Sequence, residues 1–150
     1  MSYKISIHAD PNFRNMDHDL EKVAKTTLSY LDTPEGDLTI VLTNDEGIQD
    51  LNREFAGINQ PTDVLSFPSG ETDIETNRIY YGDVIVSIPF AERQARRERH
   101  SLEDELKLLI IHGVLHLLGF GHTEEDGRQK MWSIQDEILK QLGSEIESPR

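Results

Sequence analysis

Residues 102–122 read LEDELKLLIIHGVLHLLGFGH, a strongly apolar stretch that carries three histidines. Ser101 and Asp104 match a capping box, in which side chains satisfy free backbone N–H groups at the start of a helix. Gly119 follows the apolar run and suits the left-handed residue that commonly ends a helix. The sequence therefore predicts a central helix from about Leu102 to Leu118.

The histidines of this stretch have the spacing of metal ligands. His112 and His116 are four residues apart, which places their Cβ atoms about 5–6 Å apart on one helix face. Gly119 allows a sharp turn that returns His122 over the same face. Three imidazoles leave one position of a tetrahedral zinc ion open, as in catalytic sites. We expect one Zn²⁺ per chain, held by His112, His116 and His122 at the end of the central helix.

The same pattern, H-x-x-x-H-x-x-G-x-x-H, is typical of metzincin zinc proteases, with one difference. Those proteases carry a glutamate general base directly after the first histidine, and that position is Gly113 here. Peptide hydrolysis by their mechanism therefore lacks its proton acceptor. Three neutral imidazoles leave the full charge on the zinc ion, which favours anionic ligands such as a phosphodiester.

The rest of the chain predicts a single sheet covered by helices. Apolar patterns indicate strands at 3–8, 38–42, 63–67 and 84–86, and helices at 17–31, at 43–55, after residue 87 and after residue 122. The predicted order is β-α-β-α-β-β-α-α-α. The predicted fold class is α+β, with one small sheet covered by about five helices and a single domain over residues 1–150.

Some local details are also predicted. Thr43 and Glu46 match a capping box for the second helix, in which Phe55 is expected to face inward with Ile48 and Leu51. Pro68 is expected to stop the third strand. Residues 69–79 are polar and are expected to form a surface loop.

The charge and the amino-acid composition limit which classes of function and which metal ligands are available. The formal net charge is -13, which argues against a nucleic-acid binder with a broadly basic surface. The sequence has no cysteine, so histidine and carboxylate are the available metal ligands. No targeting segment or membrane span is recognisable, and a cytoplasmic location is the default expectation.

Three blocks in order give the sequence a close resemblance to the YbeY family of zinc-dependent, single-strand-specific endoribonucleases. The blocks are residues 51–52 with 61–68 (LN and PTDVLSFP), residues 82–87 (GDVIVS) and residues 112–119 (HGVLHLLG). The resemblance implies maturation of the 3′ end of small-subunit ribosomal RNA, ribosome quality control, and Zn²⁺ bound by His112, His116 and His122. It also implies RNA, the small ribosomal subunit and ribosome-associated proteins as partners. Members were once grouped with metalloproteases because of the histidine pattern.

One position departs from the family pattern. Family members usually carry an arginine immediately before the glycine that follows the Leu-Asn helix, whereas this chain has Ala56 before Gly57. Arginine can neutralise a phosphate by a bidentate contact, and alanine cannot. Arg53 lies one helical turn earlier on roughly the same side. Either Arg53 partly replaces the missing arginine in catalysis, or it is a solvated surface residue.

Other polar residues receive less definite interpretations. Asp83 is either an acceptor for a ligand-histidine N–H or a residue at the strand edge. Thr62, Asp63 and Ser66 lie in a block that the resemblance places near the active groove, but their mixed pattern indicates no chemistry. His100 shows no ligand pattern.

The sequence leaves three functions open. The first is a zinc-dependent endoribonuclease in ribosomal-RNA maturation, with His112 and Arg53 as catalytic candidates. The second is a metallopeptidase or other zinc hydrolase, which Gly113 disfavours unless another carboxylate lies near the metal-bound water. The third is a non-catalytic zinc protein associated with the ribosome.

Overall fold

A computed structural model describes residues 2–16, 19–121, 125–144 and 146. Within these residues the chain has the predicted α+β architecture and the predicted order of strands and helices, with one additional 3₁₀ helix at Pro11–Met16. The elements are β1 (Tyr3–Ala9), α1 (Leu20–Tyr30), β2 (Gly36–Thr43), α2 (Asp45–Ala56), β3 (Val64–Thr72), β4 (Ile79–Ser87), α3 (Ile88–Glu98), α4 (Leu102–Leu117) and α5 (Glu125–Gln141). No helix in these ranges combines the length and the apolar character needed to cross a bilayer.

The four strands form one mixed sheet in the order β1-β2-β4-β3. Strands β1, β2 and β4 are parallel, and β3 runs antiparallel to β4 at the edge. The parallel strands carry most of the buried strand residues, whereas none of the nine β3 residues is fully buried. The sheet therefore has a well-covered side and a more open edge.

The central helix α4 packs across the inner face of the sheet. Its approach is close at Gly113, where a Cβ atom would lie 2.5 Å from Val84 Cγ1 and 3.3 Å from Ser66 Oγ. The Ser66 hydroxyl donates a hydrogen bond to the Gly113 carbonyl at 2.8 Å. These contacts hold the middle of α4 against β3 and β4, and they set the height of the histidines above the sheet.

Both ends of α4 match the prediction. The Ser101 hydroxyl accepts a hydrogen bond from the Asp104 backbone N–H at 3.0 Å. The helix ends at Leu117, and Gly119 has a φ of 95°, a backbone conformation that glycine adopts without strain.

The predicted surface loop is confirmed for residues 73–78, but the prediction was wrong for residues 68–72 and 79, which belong to strands. Strand β3 continues through Pro68, which lies opposite Gly82 in the antiparallel register, and runs to Thr72. Proline lacks a backbone N–H and is tolerated in a strand at a sheet edge. Because β3 is an edge strand, Pro68 does not end it, and only residues 73–78 form the turn to β4.

Two predictions for α2 were also wrong. The residue that caps the helix is Asn44, whose side chain accepts a hydrogen bond from the Gly47 N–H at 2.8 Å. Phe55 is 64% exposed, although Ile48 on the same helix is fully buried. Phe55 lies in the last turn of α2 beside the edge strand, where little of the fold is left to cover it.

Replacing Gly113 with alanine tests the packing of α4 against the sheet. The new methyl group would collide with Val84, which is fully buried. Overpacking a core costs about 1–3 kcal/mol, and alanine regains about 1 kcal/mol in helix propensity. The 2.5 Å approach to Val84 places the overpacking cost in the upper part of that range, about 2–3 kcal/mol. We therefore expect a net loss of about 1–2 kcal/mol in the free energy of unfolding, measured by urea denaturation. Gly121→Ala is the matched control, since its Cβ meets nothing within 4 Å; equal stability of the two variants would contradict the packing argument.

Candidate metal centre

His112 and His116 project from one face of α4 and converge. Their Nε2 atoms are 3.0 Å apart, and their ring centroids are 4.6 Å apart at an interplanar angle of 67°. Two nitrogens that share a tetrahedral zinc ion at about 2.0–2.1 Å lie about 3.3 Å from each other. The pair therefore needs to open by only a few tenths of an ångström to hold one ion.

A glutamine from another helix orients His112. Gln135 of α5 is 1% exposed, and its Oε1 lies 2.9 Å from His112 Nδ1. An amide oxygen only accepts hydrogen bonds, so Nδ1 carries the proton in this contact. The lone pair of the neutral imidazole is then on Nε2, the atom that faces His116. This is the outer contact that histidine ligands of metals commonly make.

The third predicted ligand, His122, lies outside the described residues. Among the residues that the structure does describe, no three histidine, aspartate or glutamate side chains converge into a metal-binding group. The described part of the site therefore consists of the imidazoles of His112 and His116. The two rings contact each other, and His112 is also hydrogen-bonded to Gln135.

A cleft of about 570 Å³ lies beside His112 and contains a hydrogen-bonded polar cluster. The amide of Gln94 in α3 donates to Asp63 Oδ2 and to Glu105 Oε2, each at 3.1 Å. Glu105 Oε1 lies 2.5 Å from His100 Nε2. This cluster joins α3, α4 and the start of β3, and it places two carboxylates in the wall of the cleft.

Glu105 is the most deeply buried member of that cluster, with 3% of its surface exposed. Burial raises the pKa of Glu105 because the charged form is poorly solvated, and the hydrogen bond from His100 acts in the opposite direction. The Asp63 carboxylate is held by the Val64 backbone N–H at 2.7 Å as well as by Gln94. Each of the two carboxylates is thus fixed by protein donors.

The position after His112 has no room for a general base. A Cβ atom at Gly113 would already lie 2.5 Å from Val84 Cγ1 and 3.3 Å from Ser66 Oγ, so a longer side chain there would have to displace the buried Val84 side chain. A glutamate at position 113, as metzincins have, is incompatible with this packing. The absence of that base is therefore a consequence of how α4 lies on the sheet.

The arginine candidate lies on the exposed side of α2. The Arg53 side chain is 55% exposed and forms an ion pair with Asp50 at 3.1 Å. Ala56, at the position of the family arginine, is exposed as well. An exposed ion pair of this kind contributes little to stability, about 0–1 kcal/mol, so Arg53 can exchange Asp50 for another anion.

The sequence offered Asp83 either as an acceptor for a ligand-histidine N–H or as a residue at the strand edge. In the structure it accepts a hydrogen bond from the Tyr80 hydroxyl. The acceptor beside His112 Nδ1 is instead Gln135, which sequence reasoning missed. A signal was present: Gln135 lies one helical turn from each of two apolar residues that prove fully buried, Met131 and Ile138. A polar side chain on such a face requires a partner. No comparable signal pointed to the contacts of Gln94 or Glu105.

Two imidazoles that converge on one position are donors of the kind that hold catalytic zinc in metal-dependent hydrolases. The family model for Endoribonuclease YbeY matches residues 5–143. The chain belongs to the YbeY family, and it is therefore an endoribonuclease, a hydrolase of phosphodiester bonds.

Individual relatives agree with that assignment. The chain is 41% identical over 139 residues to the Endoribonuclease YbeY of Heliobacterium modesticaldum, with 85% of this chain and 84% of the relative covered. It is 40% identical over 128 residues to that of Aquifex aeolicus, with the same coverage. A Thermotoga maritima protein of known solution structure has the same fold, with a TM-score of 0.62, 26% identity and 93% of this chain and 91% of that chain covered.

Gln135→Met tests the orientation of His112. Methionine has a similar size but offers no comparable acceptor to Nδ1, and loss of such a contact typically weakens metal binding about 10–100-fold. We expect that loss of Zn²⁺ affinity in competition with a chromophoric chelator. We also expect ¹⁵N NMR spectra to show a smaller Nδ1-protonated fraction of His112.

Two further variants control for stability. Gln135→Glu keeps an acceptor and should retain the Zn²⁺ affinity of the unmodified protein or exceed it. Ile138→Val removes one buried methylene from the same helix and should leave the affinity unchanged. Undiminished affinity in Gln135→Met would show that Gln135 has no part in metal binding.

Proposed function

We propose that the protein is a zinc-dependent, single-strand-specific endoribonuclease that matures the 3′ end of small-subunit ribosomal RNA and serves ribosome quality control. His112, His116 and His122 are its proposed zinc ligands. The observation that carries the proposal is the 3.0 Å separation of the two Nε2 atoms. The hydrogen bond from His112 Nδ1 to Gln135 supports it, since it directs the lone pair toward the shared position.

When bound, zinc supplies a Lewis acid that activates water and neutralises charge developing on the phosphodiester. The residues of the chain hold and orient that centre. Neutral imidazoles on α4 add no negative charge, so an anionic phosphodiester is favoured over a neutral peptide. Because both ring nitrogens of His112 are engaged in this arrangement, we assign His112 to metal binding rather than to proton transfer.

The packing at Gly113 argues against a metzincin-type peptidase. Its general base would have to follow His112, and the contact with Val84 leaves no space for it. The cleft contains two carboxylates, Asp63 and Glu105, and both accept hydrogen bonds from Gln94. Neither of them directly follows His112, which is where a metzincin carries its general base. Phosphodiester hydrolysis is the chemistry that the site supports best.

The proposed substrate is an unpaired segment of ribosomal RNA, and the proposed partners are the small ribosomal subunit and proteins associated with it. A cytoplasmic location and a single functional domain over residues 1–150 belong to the same proposal. With a net charge of -13, the protein neutralises few phosphates, so the salt dependence of RNA binding should be shallow. Ribosomal contacts would then supply much of the specificity.

Removing the metal or a ligand tests the catalytic proposal. We expect His116→Ala, or chelation followed by desalting, to lower kcat/KM on a single-stranded RNA about 10²–10⁴-fold, because the Lewis acid is lost. Readded Zn²⁺ should restore the chelated protein but not the variant. His8→Ala, an exposed histidine on β1, is the control. Full cleavage by metal-free protein would refute zinc-dependent catalysis.

Arg53→Ala tests the proposed phosphate contact. If Arg53 replaces the family arginine, its loss removes a charge-assisted hydrogen bond to the substrate, and kcat/KM should fall about 3–10-fold. Asp50→Ala releases Arg53 from its ion pair and should leave kcat/KM unchanged or higher. Ala56→Arg restores an arginine at the exposed position where family members usually carry one, and it should raise kcat/KM. An Arg53→Ala variant with unaltered kcat/KM would remove Arg53 from the mechanism.

A further inference from the structure

Two phenylalanines form an exposed aromatic surface on the outer side of the sheet. The ring of Phe55 in α2 is in edge-to-face contact with the ring of Phe67 in β3, with centroids 5.2 Å apart at an interplanar angle of 65°. Phe55 is 64% exposed, and Phe67 is partly exposed. We refer to Phe55 and Phe67 as the aromatic pair.

The aromatic pair lies across the edge strand from the histidines. Ser66 points inward and bonds to the carbonyl of Gly113, the residue next to His112. Side chains alternate along a strand, so Phe67 points to the opposite face. Strand β3 is the edge of the four-stranded sheet that the structure describes. A strand of RNA that crosses this edge can therefore reach the aromatic pair and the histidine face together.

The net charge of the protein offers little general attraction to RNA. Its net charge is -13, and the nearest arginine along α2, Arg53, is paired with Asp50. Stacking of an aromatic ring on a nucleobase requires no positive charge and accepts any base. Aromatic side chains on an open sheet face are a common means of holding unpaired RNA bases.

The surroundings of the pair fit a base better than a protein surface. Within the described residues the exposed large apolar side chains are few, namely Tyr30, Phe55, Ile58 and Ile74. A protein docking site usually offers a larger continuous apolar patch, whereas one base needs a single ring face.

We propose that the aromatic pair is a stacking site for an unpaired nucleobase of the RNA substrate, outside the bond that is cut. The proposal rests on the function proposed above and adds to it a site for substrate bases. Phe55 provides the exposed ring face, and Phe67 supports it from the sheet. The site favours unpaired RNA because a base inside a duplex has both faces covered.

Phe55→Leu separates stacking from simple apolar contact. Leucine keeps an apolar side chain but removes the π face, so KM for an unstructured RNA of about twelve nucleotides should rise about 5–100-fold with kcat unchanged. Phe55→Trp should keep KM low, and RNA should quench the fluorescence of the introduced indole relative to the protein with Trp132 alone. The salt dependence of kcat/KM should have the same slope in all three proteins.

Ile74→Ala is the matched control, because Ile74 is 98% exposed in the β3–β4 turn; its KM should equal that of the unmodified protein. A Phe55→Leu variant with unchanged KM, or an F55W indole that RNA does not quench, would overturn the stacking site. Weakened binding to small ribosomal subunits with unchanged KM would assign the pair to a docking contact with the subunit, away from the cleaved segment, and would also overturn the stacking site. Failure of the unmodified protein to cleave RNA would instead refute the proposed function, and the quenching measurement would still test the stacking site.

Discussion

The close approach of α4 to the sheet is the contact on which the arrangement of the site depends. At Gly113 the helix backbone packs directly on the Val84 side chain, and Ser66 bonds to the helix carbonyl from the neighbouring strand. This contact fixes both the height and the rotation of the helix. His112 and His116 flank it, so their rings are directed to one side, where α5 brings Gln135 against His112. A looser helix would leave the imidazoles without a common direction.

A second set of contacts draws distant parts of the chain to the cleft beside the histidines. Gln94 binds one carboxylate from the start of β3 and one from α4, and His100 binds the latter from the loop before the helix. Burying the Glu105 charge is unfavourable, as its raised pKa shows, and these donors offset that cost. The cluster explains why the Asp63 block, far from the histidines in the sequence, belongs to the same region of the molecule.

Sequence reasoning predicted the order of the elements, the central helix with both of its ends, and the pairing of His112 with His116, because these follow from local periodicity and capping. It was wrong where tertiary context decides. Pro68 reads as a strand terminator, yet at a sheet edge its missing N–H has no consequence. Phe55 has the spacing of an inward residue, but α2 extends beside the edge strand. Gln135 and Gln94 act through contacts between helices, and sequence spacing does not encode the partner of an amide.

The glycine after His112 also constrains how the family can diverge. A mutation that introduced a carboxylate there would be selected against for folding before any new reactivity could be tested. Peptidase chemistry by that route would first require a smaller residue in place of Val84, which is fully buried, and a change at Ser66, whose hydroxyl bonds to the Gly113 carbonyl. A change toward protein substrates by this route therefore requires several coordinated substitutions in the sheet, although the two enzyme classes have almost the same histidine spacing.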